Sequence, residues 1–187
     1  MPILYLLTLL FLILFLVGYC IYLIDSIASN ILAQYIDAPT SRRALEVLEK
    51  QIKNLGEERI VFYDLGCGYG RVASAVARDF PGFRVVGVDR SALKNLVSRI
   101  IFFKIRNLSF LRKNIFDIDI SNADLVYIYL WPTVVEKIRE KLERELKPGA
   151  YVLVSTFPIK GWQAISEEAS FSIKNNSTFE RFFLYKR

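Results

Sequence analysis

The sequence predicts an α/β fold, a doubly wound parallel sheet behind an N-terminal transmembrane helix, and three observations carry that expectation. The stretch Val61-Phe62-Tyr63-Asp64-Leu65-Gly66-Cys67-Gly68-Tyr69-Gly70-Arg71 is a β-prone apolar run, an acid, three glycines at alternate positions, and then the start of a helix through Ala77. Strand, tight turn and helix in that order form the first crossover of such a sheet, whose ligands sit at the carboxyl ends of the strands. Arg84-Val85-Val86-Gly87-Val88-Asp89 then repeats the pattern of an apolar strand closed by an acid, with Asp89 25 positions after Asp64. Finally, residues 2–24 carry no charge, and ~20 apolar residues are enough to cross a bilayer core.

Taken in chain order, residues 1–24 are the anchor, 25–40 a juxtamembrane helix and linker, and 41–187 the α/β domain. A cleaved signal would show a charged start and a small-x-small cleavage site, and neither is clear here. The first basic residues, Arg42 and Arg43, follow the apolar segment. By the positive-inside tendency the N-terminus lies outside and the domain in the cytoplasm or an equivalent inner compartment. Ile27, Ile31 and Tyr35 recur at helical spacing, so the helix continues in amphipathic form until Asp37-Ala38-Pro39-Thr40 breaks it. Thr40 or Ser41 then caps a helix from about Arg42 to Lys53.

After Asp89 a helix is expected from Ser91 to about Arg106, with Lys94, Arg99, Lys104 and Arg106 as a solvated basic face or a contact for acidic lipid headgroups. Leu108–Lys113 reads as a third strand, turned by Asn114-Ile115-Phe116-Asp117, and Ala123–Leu130 as a fourth, buried one. Val134–Leu146 is a helix with Val135, Ile138, Leu142 and Leu146 inward and pairs such as Glu140–Arg144 and Glu143–Lys147 outward. Ala150–Thr156 is a fifth strand. Phe171–Lys174 and Phe179–Lys186, around an Asn175-Asn176-Ser177 turn, make a final antiparallel pair.

Composition narrows the chemistry. The 187 residues include no histidine, which removes the commonest general base and the commonest zinc ligand. The two cysteines, Cys20 and Cys67, fall in the apolar segment and in the glycine loop, and suggest neither a disulfide nor a metal site. The net charge is +6, which suits an anionic membrane surface at least as well as nucleic acid. No basic block interleaved with aromatics stands out, so nucleic acid is not an expected partner.

The glycine spacing points to a ligand. A dinucleotide site uses G-x-G-x-x-G with a pyrophosphate on the helix start. Here the pattern is Asp64-x-Gly66-x-Gly68-x-Gly70, and an acid beside the loop suits a cation better than a pyrophosphate. With this motif the chain resembles the class I methyltransferases, which use S-adenosyl-L-methionine, a sulfonium, as cofactor. The resemblance implies a Rossmann-like seven-stranded class I methyltransferase sheet, with Asp64, Gly66, Gly68 and Gly70 as cofactor loop. It implies that Asp89 accepts from the ribose hydroxyls, although an Asp in that position also caps helices. Asn114 stands at the adenine-holding turn, with Asp117 as the other candidate. The fourth strand's carboxyl end faces the transferred methyl group in this class, making Tyr129, Leu130, Trp131 and Pro132 candidates for the wall of a substrate channel. Members acting on bases or glutamine amides carry Asp/Asn-Pro-Pro-Tyr/Phe there, and Leu130-Trp131-Pro132 departs from that pattern.

A narrower likeness rests on Lys141-Leu142-Glu143-Arg144-Glu145-Leu146, on Phe157-Pro158, on Trp162, and on Tyr35–Thr40 just after the apolar helix. By these the chain is similar to small membrane-anchored protein-lysine methyltransferases related to the mitochondrial enzymes that methylate the c subunit of ATP synthase and the adenine nucleotide translocase, from about Ile36 to Trp162. Asp89 stands where that group more often has Glu, Cys67 where Ser is common, and Asn114 where Asp is. The likeness implies N-methylation of a lysine on a protein in or near the membrane, with the lipid bilayer as a second partner. Methylation of a lipid or quinone headgroup, and a cofactor-binding scaffold without turnover, remain as other functions. No catalytic base is assigned, because in-line displacement at a sulfonium depends chiefly on positioning.

Overall fold

The computed structural model describes residues 2–33, 40–170 and 180–187. Helix α1 (Pro2–Ala33) is one continuous helix whose segment Ile3–Ile24 is long and apolar enough to cross a membrane and is buried nowhere against the rest of the chain. Residues 25–33 thus continue the same helix without a break. Residues 34–39, with most of the Tyr35–Thr40 motif, lie outside the described residues. Helix α2 (Arg42–Asn54) starts at Ser41, whose hydroxyl accepts from the Ala44 N–H at 3.1 Å, and buries Ala44, Leu48 and Ile52.

The sheet contains β1 (Val61–Leu65), β2 (Arg84–Asp89), β3 (Leu108–Arg112), β4 (Leu125–Ile128), β5 (Tyr151–Ser155), β6 (Ser166–Ser170) and β7 (Glu180–Lys186). Their order is β3-β2-β1-β4-β5-β7-β6, with β1 to β5 parallel and β7 antiparallel to both its neighbours. The order reverses between β1 and β4, and in open α/β sheets that switch point opens a crevice at the carboxyl ends of the strands. Helices α3 (Arg71–Asp79), α4 (Ala92–Ile101) and α5 (Pro132–Glu145) complete the crossovers. Near-continuous apolar runs suit strands covered on both faces. One face buries Val86, Val126, Ile138 and Tyr185, and the other Phe62, Val76, Val85 and Phe182.

Two expectations are corrected, the length of α4 and the ion pairs on α5, and one lies outside the described residues. Helix α4 ends at Ile101 and not near Arg106, because the chain turns there: Ile105 N–H donates to the Phe102 carbonyl and Leu108 N–H to that of Ile105. The expected strand Phe171–Lys174 lies outside the described residues; the described strand that pairs with β7 is Ser166–Ser170, which the sequence does not announce. It is an edge strand with no apolar alternation, held by side chains: Glu168 takes Lys50 at 2.5 Å and Gln51 at 2.8 Å, and Glu167 pairs with Arg181. On α5 the ion pairs are Arg139–Glu143 at 3.6 Å and Lys141–Glu145 at 2.5 Å, while Lys147 pairs with Asp124. Glu143 is drawn off by the Trp162 indole N–H at 2.9 Å, and Trp162 meets Tyr185 edge-on. The residues of the narrower likeness on α5 and at Trp162 therefore build a structural brace.

Candidate active site

The site grows from the end of β1. Asp64 is 3% exposed, and one carboxylate oxygen accepts from the Ala73 N–H at 3.2 Å. That N–H belongs to the first turn of α3, whose N-cap is Gly70, in a left-handed conformation with no side-chain cap. The acid of the strand therefore serves as the cap the helix lacks, and it welds β1 to α3 across the loop. Burial is the main cause that pushes the Asp64 pKa up to about 7; the Ala73 N–H opposes it and nearby Asp89 adds to it.

The loop between them is held by β2. Gly66 and Cys67 N–H both donate to the Val88 carbonyl, at 2.8 and 3.0 Å. Asp89 accepts from Gly68 N–H at 2.9 Å through one oxygen and from Ser91 N–H at 2.8 Å through the other. The helix-cap role goes to Ser91, which accepts from Lys94 N–H at 3.2 Å. Asp89 is thus a clamp on the glycine loop, and each oxygen retains acceptor capacity. All three loop glycines have positive φ. They differ in surroundings: a Cβ on Gly66 would meet Leu130 at 2.7 Å and one on Gly70 the Phe110 ring at 2.5 Å, while one on Gly68 would meet nothing within 4 Å. The loop is packed at both ends and open in the middle. Burial and the two acids push the Cys67 thiol well up, so it stays protonated and is no nucleophile.

The other named residues lie around this centre. Leu130 covers Gly66. Trp131 is the N-cap residue of α5, 41% exposed, and stacks on Phe157 at 6.5 Å between centroids. Pro132 is the first residue of α5, where its missing N–H costs nothing. Tyr129 is half-buried against the core beneath them. Asn114 is exposed at the end of β3, and its carboxamide oxygen accepts from Phe116 N–H at 3.2 Å. Thr156, between β5 and Phe157, has φ of 75°, a strained conformation for a β-branched residue. Such strain concentrates at functional sites.

Two features escape sequence reasoning. Lys94, which the sequence pattern places on a solvated face, is 6% exposed and close enough to Cys67 to act on its charge. Asn95 is buried beside it and donates to the Asp89 and Ser91 carbonyls, at 2.8 and 3.2 Å. The signal is present in the spacing of Lys94, Asn95 and Ser98, which share one helix face. A separate cavity of about 290 Å³, lined by Glu143, Trp162, Lys186 and Arg187, lies at the amino end of β5, the end of the sheet opposite the glycine loop.

Known proteins agree with this geometry. The model of the ANTKMT methyltransferase domain matches residues 64–166, from the buried acid into β6. A protein-lysine N-methyltransferase of Saccharolobus islandicus is 37% identical over 136 residues, covering 68% of this chain and 79% of that protein. The mouse lysine N-methyltransferase of the ATP synthase c-subunit is 26% identical over 118 residues, covering 62% of this chain and 47% of its own length. Among solved structures, an RNA methyltransferase from Salinibacter ruber in complex with S-adenosyl-L-homocysteine superimposes with a TM-score of 0.69 and 25% identity, over 80% of this chain and 93% of the other. Sheet order, glycine loop and paired acids define a class I, S-adenosylmethionine-dependent methyltransferase. Within that class the chain belongs to the ANTKMT methyltransferase domain family.

The loop fits this cofactor. Space over Gly68 lets a ligand approach the backbone, and a buried carboxylate and a half-buried one stand on either side of it to receive a cation and hydroxyl donors.

Proposed function

We propose that the protein transfers a methyl group to the side-chain nitrogen of a lysine on a protein in or beside a membrane, with α1 as a single transmembrane anchor. In this reading Asp64, Gly66, Gly68, Gly70, Asp89 and Asn114 hold the cofactor, which supplies an electrophilic methyl group on a sulfonium. The observation that carries the proposal is the continuity of two surfaces at the switch point. Leu130 lies on Gly66, and Trp131, the next residue, stacks on Phe157 from the end of β5. Leu130, Trp131 and Phe157 thereby form an apolar, aromatic wall that runs on from the cofactor loop.

Such a wall suits a lysine on physical grounds. The amine must lose a proton to act as nucleophile, and its pKa in water is ~10.4. Apolar walls made by Leu130, Trp131 and Phe157 disfavour the ammonium and lower that value. A positive charge beside it acts in the same direction. The proton can leave to solvent past the exposed edge of Trp131, so no histidine is required. The activities by which the Saccharolobus and mouse relatives are named support a lysine substrate. The chain spans about half the length of the mouse protein, so target identity does not carry over from it.

Membranes incubated with the purified chain and methyl-labelled cofactor, then extracted with organic solvent, should keep the label with protein and yield methyl-lysine on hydrolysis. Label moving into the solvent phase would assign a lipid or quinone headgroup instead, and no label at all would leave a binding scaffold. Trp131→Ala should raise KM for the protein substrate roughly ten-fold or more, the cost of losing about 1.5–3 kcal/mol of apolar burial against the lysine side chain, and leave cofactor Kd unchanged. An equal loss of cofactor affinity would place Trp131 outside the substrate wall. With the N-terminus outside and the domain inside, protease added to intact cells should spare a C-terminal tag.

A further inference from the structure

Helix α4 is built inside out. Its buried residues are Lys94, Asn95 and Ser98, whereas Leu96, Ile100 and Ile101 are 57%, 63% and 59% exposed. Phe103, in the turn that follows, is 74% exposed. A helix lying on a soluble domain normally shows the reverse, with its apolar stripe toward the core. The inner polarity has a cause, because that face abuts the glycine loop: Asn95 braces the β2 end, and Ser98 lies at the Gly70–Phe110 contact. The outer apolarity has no cause within the domain.

Charge and position name the occupant. Between Asp89 and Asp117 there is no acidic residue, and seven of the 25 basic residues fall there. The rest of the chain is nearly balanced, with 18 basic against 19 acidic residues, so this stretch carries the whole positive excess. Arg90, Arg99, Lys104, Arg106, Arg112 and Lys113 are its exposed members. Beside this same helix stands α1, which touches α4 and is itself apolar all round. The pattern of aliphatic side chains rimmed by cations is that of an interfacial membrane helix. Single-stranded nucleic acid would call for a row of stacking aromatics instead.

We infer that the outer face of α4, with Leu96, Ile100, Ile101 and Phe103 in the acyl boundary and Arg99, Lys104 and Arg106 among anionic headgroups, is a second membrane contact that holds the domain down on the bilayer. It rests on α1 being the anchor. One apolar helix leaves a domain free to tumble about its tether. A second contact removes that freedom and sets the height of the site, because Ser91 at the head of α4 is hydrogen-bonded to Asp89.

The test uses the full chain carrying Phe103→Trp, reconstituted in nanodiscs of phosphatidylcholine with and without phosphatidylglycerol, with brominated acyl chains as quencher. Emission is read as the difference from the parent chain, which contains Trp131 and Trp162. Carbonate washing of vesicles reports on α1 independently. The expected result is a wash-resistant chain whose added emission is lost in anionic brominated discs and recovered on Arg99→Glu, Lys104→Glu and Arg106→Glu together, with cofactor Kd unchanged as proof of folding. A wash-resistant chain with unquenched emission overturns the α4 contact and leaves the anchor standing. A chain released by the wash overturns the anchor and the contact with it. Unquenched emission with two chains per disc assigns the face to a second copy, and unquenched emission with charge-dependent binding of a labelled single-stranded RNA assigns it to nucleic acid. Either result overturns the lipid contact.

Discussion

Asp64→Asn should abolish cofactor binding and at the same time stabilise the ligand-free protein. The two effects come from the same burial. An aspartate that is 3% exposed is expensive to ionise, and its pKa stands at about 7 against 3.8 when unperturbed. Between those values the folded chain holds a proton that the unfolded chain has released. Stability therefore falls as pH rises from about 4 to about 7 and stays low above that. Asparagine can accept the Ala73 N–H as the carboxylate does, and it carries no such penalty. The variant should match the parent near pH 4 and exceed it above pH 7 by on the order of 2–4 kcal/mol. Thermal unfolding of the full chain in detergent at the two pH values checks this. A variant less stable than the parent at pH 8 would show that other groups neutralise Asp64 in the free protein.

Binding should change in the opposite sense. Removing one partner of a buried charge pair costs about 3–5 kcal/mol, or roughly two to four orders of magnitude in Kd. In the proposed site, the arriving cation would draw the parent's Asp64 into its ionised form. Binding below pH 7 should therefore release a proton, and affinity should rise roughly ten-fold per pH unit up to about pH 7. Calorimetry in buffers of different ionisation enthalpy reads that proton directly. Its absence, with affinity flat from pH 5.5 to 7.5, would remove Asp64 from the cationic end of the ligand.

How much of this is legible in the sequence follows from which signals are local. Strands β1 to β5 announce themselves because each is an apolar run closed by an acid, a glycine or a turn. The seven-strand count follows from two further apolar segments. Strand β6 is hidden because Ser-Glu-Glu-Ala-Ser has no alternation, and its edge position is fixed by Lys50, Gln51 and Arg181, remote in sequence. The end of α4 is hidden because no glycine or proline marks it. Asp64 and Asp89 can be named from motif spacing alone. Their division of labour cannot: one caps α3 and the other clamps Gly68, and both depend on where α3 and β2 come to rest. Lys94 reads outward for the same reason, since amphipathic patterning assumes that the apolar face goes in.

Gly70→Ala should lower stability by about 2–5 kcal/mol, a large share of the ~5–15 kcal/mol that keeps a domain folded. Two costs combine. At φ of 74° and ψ of 23° the residue is left-handed, which costs an L side chain roughly 1–2 kcal/mol. The new methyl would also lie 2.5 Å from two ring atoms of Phe110, and overpacking of that kind costs about 1–3 kcal/mol. Phe110 has little room to yield, because the same ring fills the space over Gly87 and lies 6.1 Å from the Phe102 centroid. The costs can be separated, since only the second depends on the ring. Phe110→Leu should destabilise the parent, yet cost less, or help, when Gly70 is already alanine. Unfolding of the four proteins would then give a favourable coupling of about 1 kcal/mol or more, the range seen for residues in contact. Strict additivity would mean that the loop shifts away from Phe110 in the variant. In that case the damage should appear as lost cofactor affinity, because Gly68 would leave its clamp on Asp89.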